Sequence, residues 1–426
     1  LQLSNSLDDW QQSVGIALSG GGARAMAFHL GCLRTLDQLG VLENASVMST
    51  VSGGSVIGGM YMVRAGDFSA FEADVRATLQ KGLLRPALWT AFTTTEGVKA
   101  LSCLTLLLVT WGWLVPFRLI SSLFAMLFSA AASANNGAAP NKWMPIRFAS
   151  RTTILRRTMD KLLFEGKLLG SLRADGPRWV AIATELRTGS AYYFGRREAG
   201  SYRIGKVDPA IIPVAHAVAA SAAYPLLLPA IDEAPTFQKR DGSLASQRIT
   251  LTDGGIYDNL GLAPLWPDRD PKVSIGVGKV NVIVACRAGY GLRTVEPSIF
   301  VKARMTASFS TVHARAQNAT MQRLFDLKKA GELRNFVLPY LDQNDDELKY
   351  PPIDLVRRAA VSAYPTNFNA MSAEWIEKLS KRGEQLTLAV IREHAPELLP
   401  PDWEQRTVAT ISRPIQARTN TEVGAC

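Results

Sequence analysis

In the stretch Met48-Ser49-Thr50-Val51-Ser52-Gly53-Gly54-Ser55, four hydroxyl side chains fall within eight residues. A serine attacks an ester only when a neighbouring base takes its proton, so the base must come from elsewhere in the chain. A serine that ends an apolar strand and leads straight into small residues and a helix has the pattern of a nucleophile elbow. There a tight turn lifts the hydroxyl clear of the backbone. Ser52 holds that place, while Ser49 falls inside the strand and Ser55 inside the helix. The pentapeptide reads Thr50-Val51-Ser52-Gly53-Gly54, with threonine where G-x-S-x-G has its first glycine. Taken alone, the segment fits a helix N-cap serine with turn glycines better than a nucleophile.

Two other segments offer partners. Gly20-Gly21-Gly22-Ala23-Arg24 lies between an apolar run and a helical pattern, so its backbone N–H groups gather at a positive helix end and form an anion site. The anion is either a phosphate or the oxyanion of an acyl-transfer intermediate. A dinucleotide loop is excluded by Ala25, and a Walker A loop by the missing Gly-Lys-Ser/Thr ending. In Thr252-Asp253-Gly254-Gly255, an Asp before two glycines reads by default as a turn. It follows a strand-like run, however, and a carboxylate at a strand end can accept a serine proton with no histidine between them. The rival arrangement is a triad in the order Ser52, Asp253, then His313 or His394. The chain has four histidines, and His29, His216, His313 and His394 all sit where packing, capping or a solvated helix face explains them.

The elements that must position these residues follow from periodicity. A short strand, residues 14–18, precedes a helix in which Met26, Leu30, Leu33 and Leu36 recur at helical spacing up to Gly40. A strand at 47–51 and a helix from Gly53 repeat the pattern, and further strands are expected at 179–184 and 282–285. Residues 297–330 read as a basic helix, and 372–394 as an amphipathic helix with Ile376, Leu379, Leu386 and Val390 on one face. This alternation predicts an α/β fold with a mostly parallel sheet.

Composition narrows the partners. With 426 residues, 47% hydrophobic and 20% charged, the chain is globular, with room for one to three domains. Its formal charge of +10 calls for an anionic partner. The basic residues form no dense tract and no nucleic-acid motif is visible, so a membrane surface is expected and nucleic acid is not. Cys32, Cys103, Cys286 and Cys426 are scattered without a C-x-x-C pair. Neither a metal site nor a disulfide framework is therefore expected, which favours a reducing compartment. No calcium-loop spacing occurs, and no cofactor is implied. The sequence opens at Leu1 and carries no visible signal-peptide pattern.

Taken in order, the three chemical segments resemble the patatin-like phospholipase family. GGGAR at Gly20 to Arg24, the serine elbow at Ser52 and DGG at Asp253 to Gly255 carry the resemblance. ATELRTGSAYYF, from Ala183, and AVAASAAYPLLLP, from Ala217, support it, and YPTNFNAMSAEWIEKL is similar to the terminal segment of bacterial members. The sequence departs from the pattern at Thr50 and at Ala25. The resemblance implies a three-layer α/β/α patatin-like fold and lipid acyl hydrolysis by a Ser–Asp dyad, as a phospholipase A or lysophospholipase. Carried over, Ser52 is the nucleophile and Asp253 the general base. Gly20, Gly21, Gly22 and Gly53 form the oxyanion hole, and Arg24 is a candidate for a substrate phosphate. A catalytically inactive lipid-binding relative and an acyltransferase using the same dyad are the alternatives.

Between the elbow and Asp253 lies an unusual tract: from residue 100 to 141 the only charged residue is Arg118. Two apolar halves flank Pro116-Phe117-Arg118, each shorter than the roughly 20 residues of a full helical crossing. If Ser52 and Asp253 share one site, the chain must return to the side it left. The expectation is a re-entrant or interfacial hairpin with its tip at Pro116 to Arg118, or else a buried lid. Trp111 and Trp113 would sit at the interface, and Lys142, Arg147, Arg151, Arg156 and Arg157 on anionic headgroups. The domain organisation expected is a first catalytic part at 1–98, the apolar insertion at 99–141, the remaining catalytic domain and C-terminal helices at 142–400, and a tail at 401–426. The expected location is a membrane, at its cytoplasmic face.

Overall fold

The computed structural model describes residues 13–64, 67–128, 147–225, 227–270, 274–289, 299–362, 364–401 and 403. Its strands in chain order are β1 (Val14–Leu18), β2 (Val47–Val51), β3 (Arg178–Glu185), β4 (Ser190–Gly195), β5 (Ala199–Ser201) and β6 (Gly205–Val207). They continue with β7 (Ile231–Glu233), β8 (Thr236–Gln238), β9 (Leu244–Ser246), β10 (Ile249–Asp253), β11 (Val282–Cys286) and β12 (Asn335–Val337). The longer helices are α1 (Gly22–Gln38), α2 (Gly53–Val63), α3 (Phe68–Lys81), α4 (Leu84–Thr93), α5 (Thr95–Phe128), α6 (Arg151–Met159), α7 (Val214–Ser221), α8 (Val301–Lys329) and α9 (Ala373–His394).

Among the described residues all twelve strands join one mixed sheet. Its centre, in the order β12-β11-β1-β2-β3, is parallel. Beyond β3 the pairings with β4, β5, β6, β8 and β9 are antiparallel. The central strands are buried on both faces because helices cover both. Alternate side chains therefore enter different cores. Ile16, Leu18, Met48, Val282 and Val284 pack with α1, α2 and α9, whereas Ala17, Val47, Val51 and Ile283 pack with Leu324 and Leu327 of α8. This is the expected three-layer α/β/α arrangement.

The amphipathic C-terminal helix α9 lies directly on α1, the helix that carries the glycine loop. Their backbones approach so closely that a Cβ on Gly31 would fall 1.7 Å from the Ser380 carbonyl oxygen, and one on Gly383 would fall 2.1 Å from that of Phe28. Arg34 on α1 bridges Glu72 of α3 and Glu384 of α9, fixing the three helices together.

The apolar tract differs from the expected hairpin. Helix α5 runs without a turn through Pro116 to Phe128, and the sharp bend of 84° comes earlier, between α4 and α5. A proline removes one intrahelical hydrogen bond but leaves the rest of the ladder intact, and the flanking Leu, Met and Ala residues are good helix formers. A tip at Pro116 to Arg118 is thus ruled out; residues 129–141 of the expected insertion, Lys142 and most of the 401–426 tail lie outside the described residues. Among the described residues no single helix is long and apolar enough to cross a bilayer, and only the bent pair α4 with Thr95–Gly112 meets that test together. Nor is the pair a buried lid. Trp89, Phe92, Val98, Leu101 and Trp111 are each at least 66% exposed, while Thr90, Glu96 and Cys103 face inward.

Candidate active site

The register of β3 brings the two halves of the site together. Along one edge of β3, the parallel strand β2 ends with Val51 opposite Ile182. On the same edge the antiparallel strand β10 arrives from the other direction and ends with Asp253 opposite Ala183. The C-terminal ends of β2 and β10 therefore meet head to head at adjacent residues of β3, and Ser52, the next residue after β2, falls beside Asp253. Ser221, at the end of α7, ties both turns together. Its Oγ accepts the Ser52 N–H at 3.0 Å and its carbonyl accepts the Gly254 N–H at 3.1 Å.

Ser52 has the elbow geometry. Its φ of 52° and ψ of −118° lie where L-residues are strained, and helix α2 begins at the next residue. The only other described non-glycine residue with positive φ is Glu165. Asp253 is buried, and burial pushes its carboxyl up to about 7. The Gly255 N–H, donating to Oδ1 at 2.7 Å, and the Ser52 hydroxyl oppose that rise. A carboxylate poised near neutrality, against a serine, suits a general base.

Thr50 fits the elbow without distorting it. It lies in β2, where a β-branched residue is at home, and its hydroxyl is fully engaged. Trp179 Nε1–H and the Ser55 hydroxyl donate to it at 2.9 and 3.0 Å, and it donates to the Val180 carbonyl at 3.3 Å. Room for its methyl comes from Gly58 on α2, where a Cβ would lie 2.7 Å from Thr50 Cγ2. Gly58→Ala is therefore expected to destabilise the protein by about 1–3 kcal/mol through overpacking. Adding Thr50→Ser, which keeps the hydroxyl and deletes the methyl, should recover part of that loss in denaturant titrations; no recovery would contradict the assigned contact.

The glycine loop abuts the elbow backbone to backbone. A Cβ on Gly53 would lie 2.3 Å from the Gly22 carbonyl oxygen, and one on Gly20 would lie 3.3 Å from Ser52 Cβ. Gly21 and Gly22 take φ of 144° and 61°, open to glycine. One expected oxyanion donor is corrected here: the Gly20 N–H donates to the Asn259 carbonyl at 3.1 Å. Gly21, Gly22 and Gly53 remain, and among the described residues their N–H groups have no backbone acceptor outside the helices they open. Arg24 is not a surface residue. It is buried, with Nε donating to the Ala288 carbonyl at 3.0 Å and Nη1 reaching the Tyr364 carbonyl at 3.5 Å. Arg156, expected on a lipid-facing flank, turns to His216 instead, at 3.3 Å.

Ser52, Asp253, Gly20, Gly21, Gly22 and Arg24 line one cavity of about 660 Å³. Its walls are largely apolar, with Leu84 and Leu88 from α4, Ile154 and Leu155 from α6, and Leu227 and Leu228 after α7. His313 also lines it, stacked on Phe309, and burial pushes its imidazole pKa down. Among the described residues no hydrogen bond links His313 to Asp253. His394 lies on the exposed end of α9, next to Glu393, and His216 pairs with Glu233. Three site residues are not legible as such in the sequence. Asn259 wedges its Oδ1 between Gly20 and Gly255, and Asn367 accepts the Ala23 N–H at 2.7 Å. The third is Ser221. Both asparagines and Ser221 fall within or beside segments that carry the family resemblance, which is the one signal that could have marked them.

A strained strand-end serine, a buried carboxylate against it and an apolar cavity define an α/β serine esterase of the lipid-hydrolysing class. The family model described as patatin-like phospholipase matches residues 16–266, more than half of the chain. The chain belongs to the patatin-like phospholipase family. No curated protein matches the sequence. Among solved structures, it is similar to VipD from Legionella pneumophila at 13% identity, with 90% of this chain and 67% of that one covered and a TM-score of 0.36. It is also similar to human GIVD cytosolic phospholipase A2 at 14% identity, with 92% and 62% covered and a TM-score of 0.49. For the same human protein in complex with methyl gamma-linolenyl fluorophosphonate and terbium chloride, coverage is 93% and 64% and the TM-score 0.48. The chain spans less than two thirds of the human protein's length.

Proposed function

We propose that this protein hydrolyses carboxylic esters of phospholipids or lysophospholipids through a Ser52–Asp253 dyad. The observation that carries the proposal is the head-to-head meeting of β2 and β10 on β3, which sets a strained serine against a buried carboxylate. Asp253 takes the proton as Ser52 Oγ attacks the acyl carbonyl, then returns it to the leaving alcohol. Water repeats the cycle on the acyl-enzyme. The N–H groups of Gly21, Gly22 and Gly53 receive the oxyanion, each such donor being worth about 3 kcal/mol of barrier. Arg24, anchored beneath the glycine loop, adds positive charge to that end of the cavity.

The exposed apolar side chains of α4 and α5 support a membrane-surface location, at the cytoplasmic face. Helix α4 serves twice: Leu84 and Leu88 line the cavity, yet both stay about half exposed. A lipid leaving the interface at this helix reaches Ser52 along a continuous apolar wall. Arg147, Arg151 and Arg157 flank the same region as contacts for anionic headgroups. The described cysteines are free, which fits a reducing compartment.

The test is hydrolysis of phospholipids, lysophospholipids and neutral esters presented in vesicles with and without anionic lipid. Release of fatty acid from phospholipid or lysophospholipid, faster on anionic vesicles, is the expected result. A protein that binds vesicles but cleaves no ester would be the inactive relative, and the reading would fall.

A further inference from the structure

The four cysteines are scattered in sequence, yet the fold gathers two of them with a histidine. Cys32 on α1, Cys286 at the end of β11 and His29, one turn before Cys32, place their sulfur and nitrogen ligand atoms all within 4.8 Å of one another. All three residues are at most 1% exposed. The Cys32 thiol donates to the Gly383 carbonyl of α9 at 3.7 Å. His29 Nε2 lies 2.9 Å from the Ser19 carbonyl, which fixes the tautomer with the proton on Nε2. Among the described residues its Nδ1 is buried with no hydrogen-bond partner. A buried acceptor left unpaired is costly and calls for an explanation.

We propose that His29 Nδ1, Cys32 Sγ and Cys286 Sγ bind a thiophilic divalent metal ion of the zinc class. The site has the parts such an ion requires. Zn–S and Zn–N bonds of about 2.3 and 2.0 Å place tetrahedral ligand atoms about 3.5–3.8 Å apart, so a cluster held within 4.8 Å needs to contract by at most about an ångström. Two thiolates and a neutral imidazole balance a divalent charge, which leaves the loaded site neutral, as full burial demands. Sulfur and imidazole select zinc over calcium or magnesium. The carbonyl that holds His29 Nε2 is the outer partner that orients a metal-binding histidine.

The ion is structural, and it sits at the root of the catalytic loop. Ser19, whose carbonyl holds His29, immediately precedes Gly20 and donates its N–H to the Cys286 carbonyl at 3.1 Å. Its Oγ accepts the Ala288 N–H at 2.8 Å, and Ala288 in turn accepts from Arg24. Metal binding thus locks β11, α1 and the start of the glycine loop to one point.

The test is metal content of the full-length protein, purified without chelator under reducing conditions from cells grown with zinc or with cobalt(II). The expected result is one equivalent of metal per chain, with cobalt showing thiolate charge-transfer and tetrahedral d–d absorption bands. Cys32→Ser and Cys286→Ser should each lower metal content more than about tenfold, and Cys103→Ser should not change it. A metal-free wild-type chain whose thiols all titrate on unfolding would overturn the proposal. So would a Cys32–Cys286 disulfide, or metal that persists in the Cys32→Ser/Cys286→Ser double variant. The wild-type measurement stands even if a variant fails to fold, and none of these readouts depends on esterase activity.

Discussion

Ser52→Ala should lower kcat/KM for ester hydrolysis by about 10⁴-fold or more while leaving the melting temperature near that of the wild type. Alanine keeps the Cβ and so keeps the strain of φ 52°, ψ −118°; only the hydroxyl goes. Ser52→Gly should be equally inactive but more stable. Strain of this kind costs about 1–3 kcal/mol, and glycine gives back about 0.5–1 kcal/mol through the freedom of its unfolded chain. A net gain of about 1 kcal/mol, or a melting temperature higher by about 2 °C, is expected. A glycine variant less stable than the alanine variant by about 0.5–1 kcal/mol would mean that the elbow stores no strain. Residual activity above about a hundredth of wild type in either would remove Ser52 from the mechanism.

Asp253→Asn should produce the second large effect, and it splits activity from stability. General-base catalysis is worth about 10²–10⁴-fold, and that factor should be lost. In the wild type, activity should rise with pH through about 7, where the buried carboxyl ionises, and level off above. The stability effect runs the opposite way. Because burial raises the folded pKa above the unfolded one, the folded protein binds this proton more tightly. The wild type therefore loses stability as pH rises from about 4 to about 7. Asparagine removes the buried charge and can still accept the Gly255 N–H. Its melting temperature should exceed that of the wild type at pH 8, by an amount worth a few kcal/mol at most, and match it near pH 4. A stabilisation independent of pH would contradict the assigned ionisation.

How much of this was legible in the sequence depends on range. The strand–glycine–helix units at Val14–Leu18 and Val47–Val51 follow from local periodicity, and both fold as read. The pairing of Ser52 with Asp253 does not follow from periodicity, because it depends on β10 entering antiparallel and stopping at Ala183 of β3. Only the order of the motifs, through family resemblance, pointed to it. Long-range complementarity was equally hidden: Gly58, which makes room for the Thr50 methyl, is eight residues away on another element. Gly20 was read as an oxyanion donor because a glycine loop exposes N–H groups in general, whereas Asn259 takes that particular one. The hairpin tip at Pro116 to Arg118 rests on two short apolar halves and on the chain having to return, whereas the surrounding helix formers carry α5 through Pro116 without a turn. The same limit hid the meeting of His29, Cys32 and Cys286, since spacing rules see only neighbours in sequence.

The most direct measurement of the central claim is the rate at which an alkyl fluorophosphonate phosphonylates the protein, with the adduct located by peptide mass spectrometry. The account predicts a single adduct on Ser52, formed about 10²-fold or more slowly in Asp253→Asn and at an unchanged rate in His313→Gln. An adduct on another residue, or labelling of Asp253→Asn at the wild-type rate, would contradict it.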